Sequence, residues 1–197
     1  MWNKISLKLA TKIVAGVVMV GALGYYNFID KPIASGVEIG DECPDFTVNT
    51  YITESSGFSV GGEEFTLSKQ KGKIVIVNFW ATYCAPCKAE IPEFNQIQET
   101  YKEDVVVITL DGEISFSEQG LCDWINKSEE TNGWETYSML FGRYEETENN
   151  VYTKLGFSSG ALPATMIINR EGIIVFTKEG SMHYEDLEKQ ILPLLKY

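Results

Sequence analysis

The sequence predicts an α/β fold in which helices flank a central mixed β-sheet, with a transmembrane helix at the N-terminus. Ile74 to Phe79 and Val105 to Leu110 are runs of mainly apolar, β-branched residues, which are typical of strands buried on both faces. Between them, Pro86 to Tyr101 repeats apolar residues at helical spacing. A strand, a helix and a second strand in this order predict two parallel strands joined by a right-handed crossover.

Shorter patterns predict the remaining elements. Pro92 lies inside the first predicted helix, where its ring and missing N–H are expected to kink the backbone. Arg170-Glu171-Gly172 is typical of a turn between antiparallel strands. The further predicted strands are Phe46 to Asn49, Glu64 to Leu67, Thr165 to Asn169 and Ile173 to Lys178, the further helices are Ser115 to Lys127 and Tyr184 to Leu195, and a Ser- and Gly-rich loop, Glu54 to Gly62, joins the first two strands.

An uncharged, mainly apolar segment, residues 13 to 29, follows lysines at positions 4, 8 and 12. As a helix it would span about 26 Å, close to a hydrocarbon core of ~30 Å, and apolar residues before it can extend it. Lysines on its N-terminal side place the N-terminus in the cytoplasm. We therefore predict a signal anchor over 1–30, a tether over 31–39 and one globular domain over 40–197 on the extracytoplasmic side, with a cleaved signal peptide as the alternative.

Composition restricts the class of protein. The chain has 197 residues, of which 44% are hydrophobic, enough for one substantial core. Its formal net charge of −12 argues against binding to nucleic acid. An exported domain would also lie in a compartment where disulfides form, which gives the four cysteines particular interest.

Cys84-Ala85-Pro86-Cys87 begins the first predicted helix, directly after a predicted buried strand. Cysteines three residues apart in a first helical turn lie within the Cα separation that a disulfide tolerates. A thiol at a helix start faces unpaired backbone N–H groups and the positive end of the helix dipole, which favour the thiolate. Cys84 is therefore the expected nucleophile and Cys87 the resolving thiol.

Two other interpretations of this pair, a structural disulfide and a zinc site, are less favourable. A structural disulfide across three residues closes too small a loop to stabilise the fold much. Half of a zinc site would need two more ligands, and Cys43, Cys122 and His183 form no second close pair in the sequence. Redox chemistry is the favoured interpretation, and neither a metal nor another cofactor is expected.

Four stretches, in order, resemble the membrane-anchored TlpA/ResA/DsbE-like thiol–disulfide oxidoreductases of the thioredoxin-fold superfamily. The resemblance extends from about Gly40 to Leu195. The stretches are Gly40-Asp41-Glu42-Cys43-Pro44-Asp45-Phe46, Asn78-Phe79-Trp80-Ala81-Thr82-Tyr83-Cys84-Ala85-Pro86-Cys87-Lys88-Ala89-Glu90-Ile91-Pro92, Gly160-Ala161-Leu162-Pro163-Ala164-Thr165 and Ile168-Asn169-Arg170-Glu171-Gly172.

This resemblance implies a substrate surface around the dithiol. It implies that a cis peptide bond precedes Pro163 and that this loop faces the cysteines. Leu162 would then offer main-chain contacts to an extended substrate. Further substrate contacts are expected from Trp80, Tyr83 and Pro86.

The resemblance also implies an acidic group beneath the active-site helix, at Glu90. Glu90 follows Cys87 by one helical turn, on the same face. A partly buried carboxylate there would raise the thiol pKa or relay a proton to the leaving Cys87, whereas a solvated surface glutamate is the alternative. Asn78 replaces the buried aspartate of cytoplasmic thioredoxins, so the role of that aspartate does not transfer.

The other two cysteines leave two interpretations open. Cys43 and Cys122 make the cysteine count even, so an exported domain could join them in a second disulfide. They could equally be two buried free thiols, because cysteine is among the most often buried residues.

The sequence and the resemblance together predict an extracytoplasmic reductase. Its expected substrates are disulfides of exported proteins, such as apocytochrome c, and a membrane electron donor would restore the dithiol. A disulfide oxidase or isomerase on the same fold is the first alternative, and a non-catalytic metal- or peptide-binding module is the second. A peroxidase would need a P-x-x-x-T/S-x-x-C arrangement, which the sequence lacks.

Overall fold

A computed structural model describes residues 37–113, 115–144 and 150–196 of the chain. The predicted signal anchor and most of the predicted tether lie outside these residues. Within the described ranges, no helix is both long enough and apolar enough to cross a membrane. A compact unit of the chain begins at Val37.

The described residues form strands and helices in the predicted alternation. The strands are β1 (Thr47–Asn49), β2 (Ile52–Glu54), β3 (Gly57–Ser59), β4 (Glu64–Thr66), β5 (Ile74–Trp80), β6 (Val105–Asp111), β7 (Leu140–Arg143), β8 (Ala164–Ile168) and β9 (Ile174–Glu179). The α-helices are α1 (Ala85–Thr100), α2 (Glu118–Lys127), α3 (Val151–Lys154) and α4 (Tyr184–Ile191), and short 3₁₀ helices cover Leu67–Gln70, Glu129–Thr131, Trp134–Thr136 and Leu192–Lys196.

Five strands form the central sheet, in the order β7-β6-β5-β8-β9. β5, β6 and β7 run parallel, whereas β8 is antiparallel to both β5 and β9. The predicted mixed sheet is therefore confirmed, including the parallel pairing of β5 with β6, which α1 connects in the sequence. All seven residues of β5 are buried, as expected for a central strand covered on both faces.

The two faces of the sheet carry separate apolar clusters. Ile74, Ile76 and Trp80 of β5 pack on one side with residues of α1, α2 and α4, such as Ile91, Leu121 and Leu187. Val75, Val77 and Phe79 alternate to the other side, where they pack with Phe46, Phe65 and Leu155. This alternation follows from the two-residue period of a strand.

Several predicted bounds need correction. The predicted loop from Glu54 to Gly62 contains part of a small hairpin, β2–β3, while β1 and β4, which match the first two predicted strands, pair antiparallel. β7 was not predicted at all. The last α-helix ends at Ile191, and the chain continues from there as a 3₁₀ helix. α2 begins at Glu118 because the Ser117 hydroxyl caps it by accepting a hydrogen bond from the Gly120 N–H. Pro92 lies inside α1, which continues as an α-helix beyond the proline to Thr100.

Candidate functional site: a dithiol at the start of helix α1

Cys84 and Cys87 are joined in a disulfide with a Cα–Cα distance of 5.3 Å. Cys84 is the residue that caps α1, and its Sγ accepts a hydrogen bond from the Cys87 N–H at 3.3 Å. Pro86 lies in the first turn of the helix, where a backbone N–H would have no helical partner. The sulfur of Cys84 therefore lies among the unpaired N–H groups of the helix start, as the spacing predicted.

The two cysteines differ in exposure. Cys84 is 7% exposed, whereas Cys87 is fully buried. A substrate can therefore approach Cys84, and Cys87 is reached only through Cys84. Nucleophile for Cys84 and resolving thiol for Cys87 stay the predicted roles.

Exposed side chains lie next to Cys84 in the sequence and form its rim. Tyr83 is 74% exposed, and Ala85 and Pro86 are also exposed. Trp80, in contrast, is 1% exposed and packs edge-on against the ring of Trp134. The predicted substrate contact of Trp80 is therefore not available at this surface, because the end of β5 carries its ring into the core.

The Leu162–Pro163 peptide bond is cis, as predicted. Pro163 directly precedes β8, and Ala164 of β8 pairs with Phe79 of β5. The Leu162-Pro163 loop therefore lies beside the end of β5, which leads to Cys84. Leu162 is half-buried and packs against the apolar cluster that contains both redox cysteines.

Glu90 is a buried carboxylate, only 1% exposed, so the alternative of a solvated surface glutamate is wrong. Its Oε1 accepts a hydrogen bond from Asn78 Nδ2, and its Oε2 accepts one from the Met182 N–H, both at 2.8 Å. Burial raises the pKa of Glu90 to about 7, although these two hydrogen bonds act in the opposite direction. Glu90 can therefore hold or release a proton near neutral pH, one turn beyond Cys87.

Asn78 orients this carboxylate. It lies in the middle of β5, paired across the sheet with Thr109 of β6 and Thr165 of β8. The Thr109 hydroxyl donates to Asn78 Oδ1 at 2.9 Å, and Asn78 Nδ2 lies 3.3 Å from the Thr165 hydroxyl. The amide is thus fixed with its donor side toward Glu90.

A second acidic group supports the loop before Cys84, and the sequence analysis missed it. A carboxylate oxygen of Glu113 accepts hydrogen bonds from the Thr82 hydroxyl and, at 3.2 Å, from the Thr82 N–H. Arg143 donates from Nη2 to the backbone oxygens of Glu113 and Phe116, and so holds the segment that carries Glu113. Only the three-dimensional pairing of β6 with β7 brings these residues together, so no local pattern reveals them.

Asp111 is a further buried acid at this end of the sheet. Strand pairing places it between Trp80 and Arg143, and it is fully buried. Burial raises the pKa of Asp111 to about 7, against the lowering effects of a hydrogen bond from the Glu113 N–H and of the Arg143 charge. Two buried carboxyls of this structure therefore titrate near neutral pH.

Lys88, the residue after Cys87, is held in place by two contacts. Its Nζ lies 2.5 Å from Oε2 of Glu130 and 5.6 Å from the centre of the Trp124 ring. Its side chain is 15% exposed, so most of the cation is covered. These contacts join the start of α1 to α2 and to the segment that follows α2.

The remaining cysteines are free and buried. Cys43 and Cys122 lie in different apolar clusters on opposite faces of the sheet, so of the two interpretations left open, free thiols are correct in this structure. Burial raises the pKa of Cys43 to about 12 and that of Cys122 to about 11, which keeps both in the unreactive thiol form.

His183 lies on the surface, and its ring pairs with the Glu93 carboxylate at 2.9 Å. Within residues 37–113, 115–144 and 150–196, no three His, Cys, Asp or Glu side chains are arranged to hold a metal ion. The chemistry that the described residues do arrange here is thiol–disulfide exchange at the Cys84–Cys87 pair.

Comparison with known proteins agrees with this geometry. Residues 39–177 match the AhpC/TSA family. The chain is 29% identical over 177 residues to the thiol-disulfide oxidoreductase ResA of Geobacillus kaustophilus, with 88% of each chain covered. It is 26% identical over 189 residues to the thioredoxin-like protein YneN of Bacillus subtilis, with 91% of this chain and 96% of that protein covered.

A solved structure shows the same fold. The putative thiol:disulfide interchange protein DsbE from Chlorobium tepidum superposes with a TM-score of 0.59 at 22% identity, with 81% of this chain and 99% of that chain covered. The central mixed sheet with its flanking helices is thus a thioredoxin-like fold.

Proposed function

Because the chain belongs to the AhpC/TSA family and is a thiol–disulfide oxidoreductase, we propose that it reduces disulfides of exported proteins on the extracytoplasmic side of a membrane. The observation that carries this proposal is the Cys84–Cys87 disulfide at the start of α1, with only Cys84 reaching the surface. The Leu162-Pro163 loop, beside the end of β5, and the exposed Tyr83 are proposed to contact the substrate next to this sulfur.

The reaction consumes one dithiol for each substrate disulfide. The Cys84 thiolate attacks one substrate sulfur, the substrate S–S bond breaks, and the released sulfur takes a proton. Cys87 then attacks Cys84 Sγ, which releases the second substrate thiol and leaves the enzyme as the disulfide seen in this structure. Two electrons pass from the enzyme to the substrate, and a membrane electron donor is proposed to return them.

The surroundings of Cys87 favour the reducing direction. A disulfide is a strong oxidant when its reduced, thiolate form is stabilised. Here the resolving thiol is fully buried and lies one helical turn from the Glu90 carboxylate, and both burial and a nearby negative charge disfavour a thiolate. The reduced form is therefore stabilised less than in an oxidase, which makes the dithiol a better reductant.

Glu90 is proposed to serve as the proton donor or acceptor for Cys87. Its pKa of about 7 allows it to change protonation state under the conditions in which thiols exchange. Its two hydrogen bonds, from Asn78 and from the Met182 N–H, hold the carboxylate in one orientation.

The location of the enzyme is proposed from the sequence. The lysines at positions 4, 8 and 12 and the apolar residues 13 to 29 support a retained N-terminal anchor. The anchored domain would then work at the outer face of the membrane, in the same compartment as newly exported disulfide proteins.

Three proteins test the mechanism: the pre-reduced full-length protein, Cys84→Ala and Cys87→Ala. We expect the first to reduce insulin disulfides, Cys84→Ala to be inactive, and Cys87→Ala to accumulate a mixed disulfide with insulin. Activity of Cys84→Ala equal to that of the unaltered protein would refute the proposed mechanism.

The direction of electron flow is tested by the reduction potential of the Cys84–Cys87 pair. A value near about −270 mV marks a reductant, and a value near about −120 mV marks a strong oxidant. Equilibration with glutathione or dithiothreitol redox buffers at pH 7 gives this value, and the oxidising result would favour the oxidase alternative.

A further inference from the structure

One side of the dithiol carries an excess of negative charge. Over residues 115 to 135, which include α2, the chain has five acidic residues and one lysine. Four of the five acidic side chains are exposed, and we call these the acidic flank: Glu118, Asp123, Glu129 and Glu130. Lys88 attaches this flank to the active-site helix through its contacts with Glu130 and Trp124.

Nearby cations neutralise only part of the acidic flank. Lys127 pairs with Asp123 at 3.8 Å, and Lys88 pairs with Glu130 at 2.5 Å. Glu118 and Glu129 have no ion-pair partner among the residues that the structure describes. Two carboxylates of the acidic flank thus remain without a salt bridge, on the segment that Lys88 joins to the start of α1.

The acidic flank also contains a groove that a polypeptide can occupy. Phe116, Gly120, Asp123, Trp124, Lys127 and Ser128 line about 390 Å³ beside α2. Trp124 is half-buried and its ring also contacts the Lys88 ammonium, so the groove lies close to the start of α1. Phe116 and Trp124 give it apolar contact area, and its acidic surroundings favour a positively charged occupant.

We propose that the acidic flank selects substrates whose disulfides are flanked by lysine or arginine side chains. This inference rests on the proposed function, because the substrate disulfide must reach Cys84. The bound segment would lie across the exposed Tyr83, with its cationic side chains beside Glu118 and Glu129 and an apolar side chain in the groove. Electrostatic attraction of this kind acts mainly on the rate of association.

Single-turnover kinetics with pre-reduced full-length protein test the proposal without any external reductant. Three peptides contain the same intramolecular disulfide and differ only in the four residues that flank it. These four residues are all lysine in the first peptide, all glutamine in the second and all glutamate in the third. The rate at which dithiothreitol reduces each peptide is measured separately, and the rate with the protein is divided by it to correct for the intrinsic reactivity of the disulfide. We expect the lysine peptide to react about tenfold faster than the glutamate peptide at low salt, with the difference shrinking as salt rises.

A matched pair of double variants locates the effect. Glu118→Gln with Glu129→Gln removes two charges from the acidic flank, and Glu103→Gln with Glu171→Gln removes two exposed charges at the opposite end of the sheet. The first double variant is expected to lose most of the preference for the lysine peptide, and the second to keep it. None of these four residues contacts the dithiol, so the rate with the glutamine peptide serves as the internal control.

The outcomes separate this inference from the function on which it rests. Equal corrected rates for the three peptides would overturn the acidic flank as a selector while leaving the oxidoreductase intact. Equal loss of preference in both double variants would also overturn it, because the effect would then belong to the total charge of the protein. Absence of reaction with any peptide would refute the proposed reductase and the inference together.

Discussion

Asn78 lies where a second carboxylate would change the chemistry of Glu90. An aspartate at this position would place two carboxylates within hydrogen-bond distance in a buried site, and such a pair shares a proton and titrates in two coupled steps. The Asn78 amide donates its hydrogen bond to Glu90 at 2.8 Å without adding a charge. Glu90 therefore titrates here as a single buried acid whose hydrogen bonds are supplied by neutral groups.

Replacing Glu90 tests how far this one carboxylate sets the redox potential. In Glu90→Gln the negative charge near Cys87 is lost, so the thiolate form becomes more favourable and the reduction potential should become less negative. We expect a shift on the order of 30 mV at pH 8, which corresponds to about a tenfold change in the equilibrium constant. Equilibration of both proteins with dithiothreitol redox buffers measures it.

Glu93→Gln is the matched control for that experiment. Glu93 lies three residues further along α1, and its carboxylate binds His183 and the Tyr184 N–H near the surface. We expect its replacement to change the potential much less. A shift as large as that of Glu90→Gln would show that any charge on α1 suffices, and the specific role of the buried carboxylate would be wrong.

At the scale of elements, one side chain of α2 pairs with the backbone of the small hairpin β2–β3. Asn126 of α2 accepts a hydrogen bond from the Phe58 N–H at 2.7 Å and donates one to the Phe58 carbonyl at 2.9 Å. Both backbone groups of Phe58 are thus paired by one amide. Phe58 itself is buried and packs edge-on against Phe141 of β7.

Asn126→Ala should therefore loosen the hairpin. Removing the amide leaves the N–H and carbonyl of Phe58 without these partners, so we expect a loss of about 1 to 3 kcal/mol in the free energy of unfolding. Urea denaturation followed by tryptophan fluorescence measures it. Asn132→Ala is the control: its side chain makes no hydrogen bond with the described residues and is exposed, so a comparable loss there would contradict this account.

The elements also show where sequence patterns suffice. The bounds of β5, α1 and β6 are predicted within a residue or two at each end. Each of these segments is buried along its whole length or along one whole face, and this burial leaves a continuous apolar run or a helical repeat in the sequence. β7 has only four residues, Leu-Phe-Gly-Arg, and its buried positions follow neither period, so its place at the sheet edge depends on pairing with β6.

The same distinction holds for the site. The positions of Cys84 and Cys87 are predicted from a local motif, whereas the cis bond before Pro163 and an acidic group at Glu90 beneath the helix are implied by the resemblance. The support of Thr82 by Glu113 and the burial of Asp111 depend on which strands are neighbours. No spacing rule within one segment contains that information.

At the scale of the whole molecule, the two buried acids should determine how stability depends on pH. The pKa values of Glu90 and Asp111 are raised by burial to about 7, above the values of about 4 expected in the unfolded chain. A carboxyl with a raised pKa in the folded protein stabilises the fold while it is protonated. Its contribution is complete below pH ~4 and is lost as the pH rises to about 7.

Acids with the opposite shift do not cancel this effect above pH 5. The pKa of Asp45 is lowered by hydrogen bonds from Ser68, and that of Glu188 by hydrogen bonds from Tyr101 and Tyr184. Both carboxyls are then ionised in the folded and unfolded chain between pH 5 and pH 8, so they add no slope in this range. The His183 pKa is raised by its contact with Glu93, which acts in the same direction as the buried acids.

The oxidised protein should therefore be more stable at pH 5 than at pH 8. Each buried acid accounts for up to about 2 to 3 kcal/mol of the difference, since one pKa unit corresponds to about 1.4 kcal/mol. Urea denaturation of the full-length protein in mild detergent at the two pH values measures the difference. Combining Glu90→Gln with Asp111→Asn should remove most of it, whereas combining Glu103→Gln with Glu171→Gln should leave it unchanged. If the double variant of the buried acids kept the full difference, the pH dependence would have to arise from surface charges, and the two carboxyls would not be the groups that titrate near neutral pH.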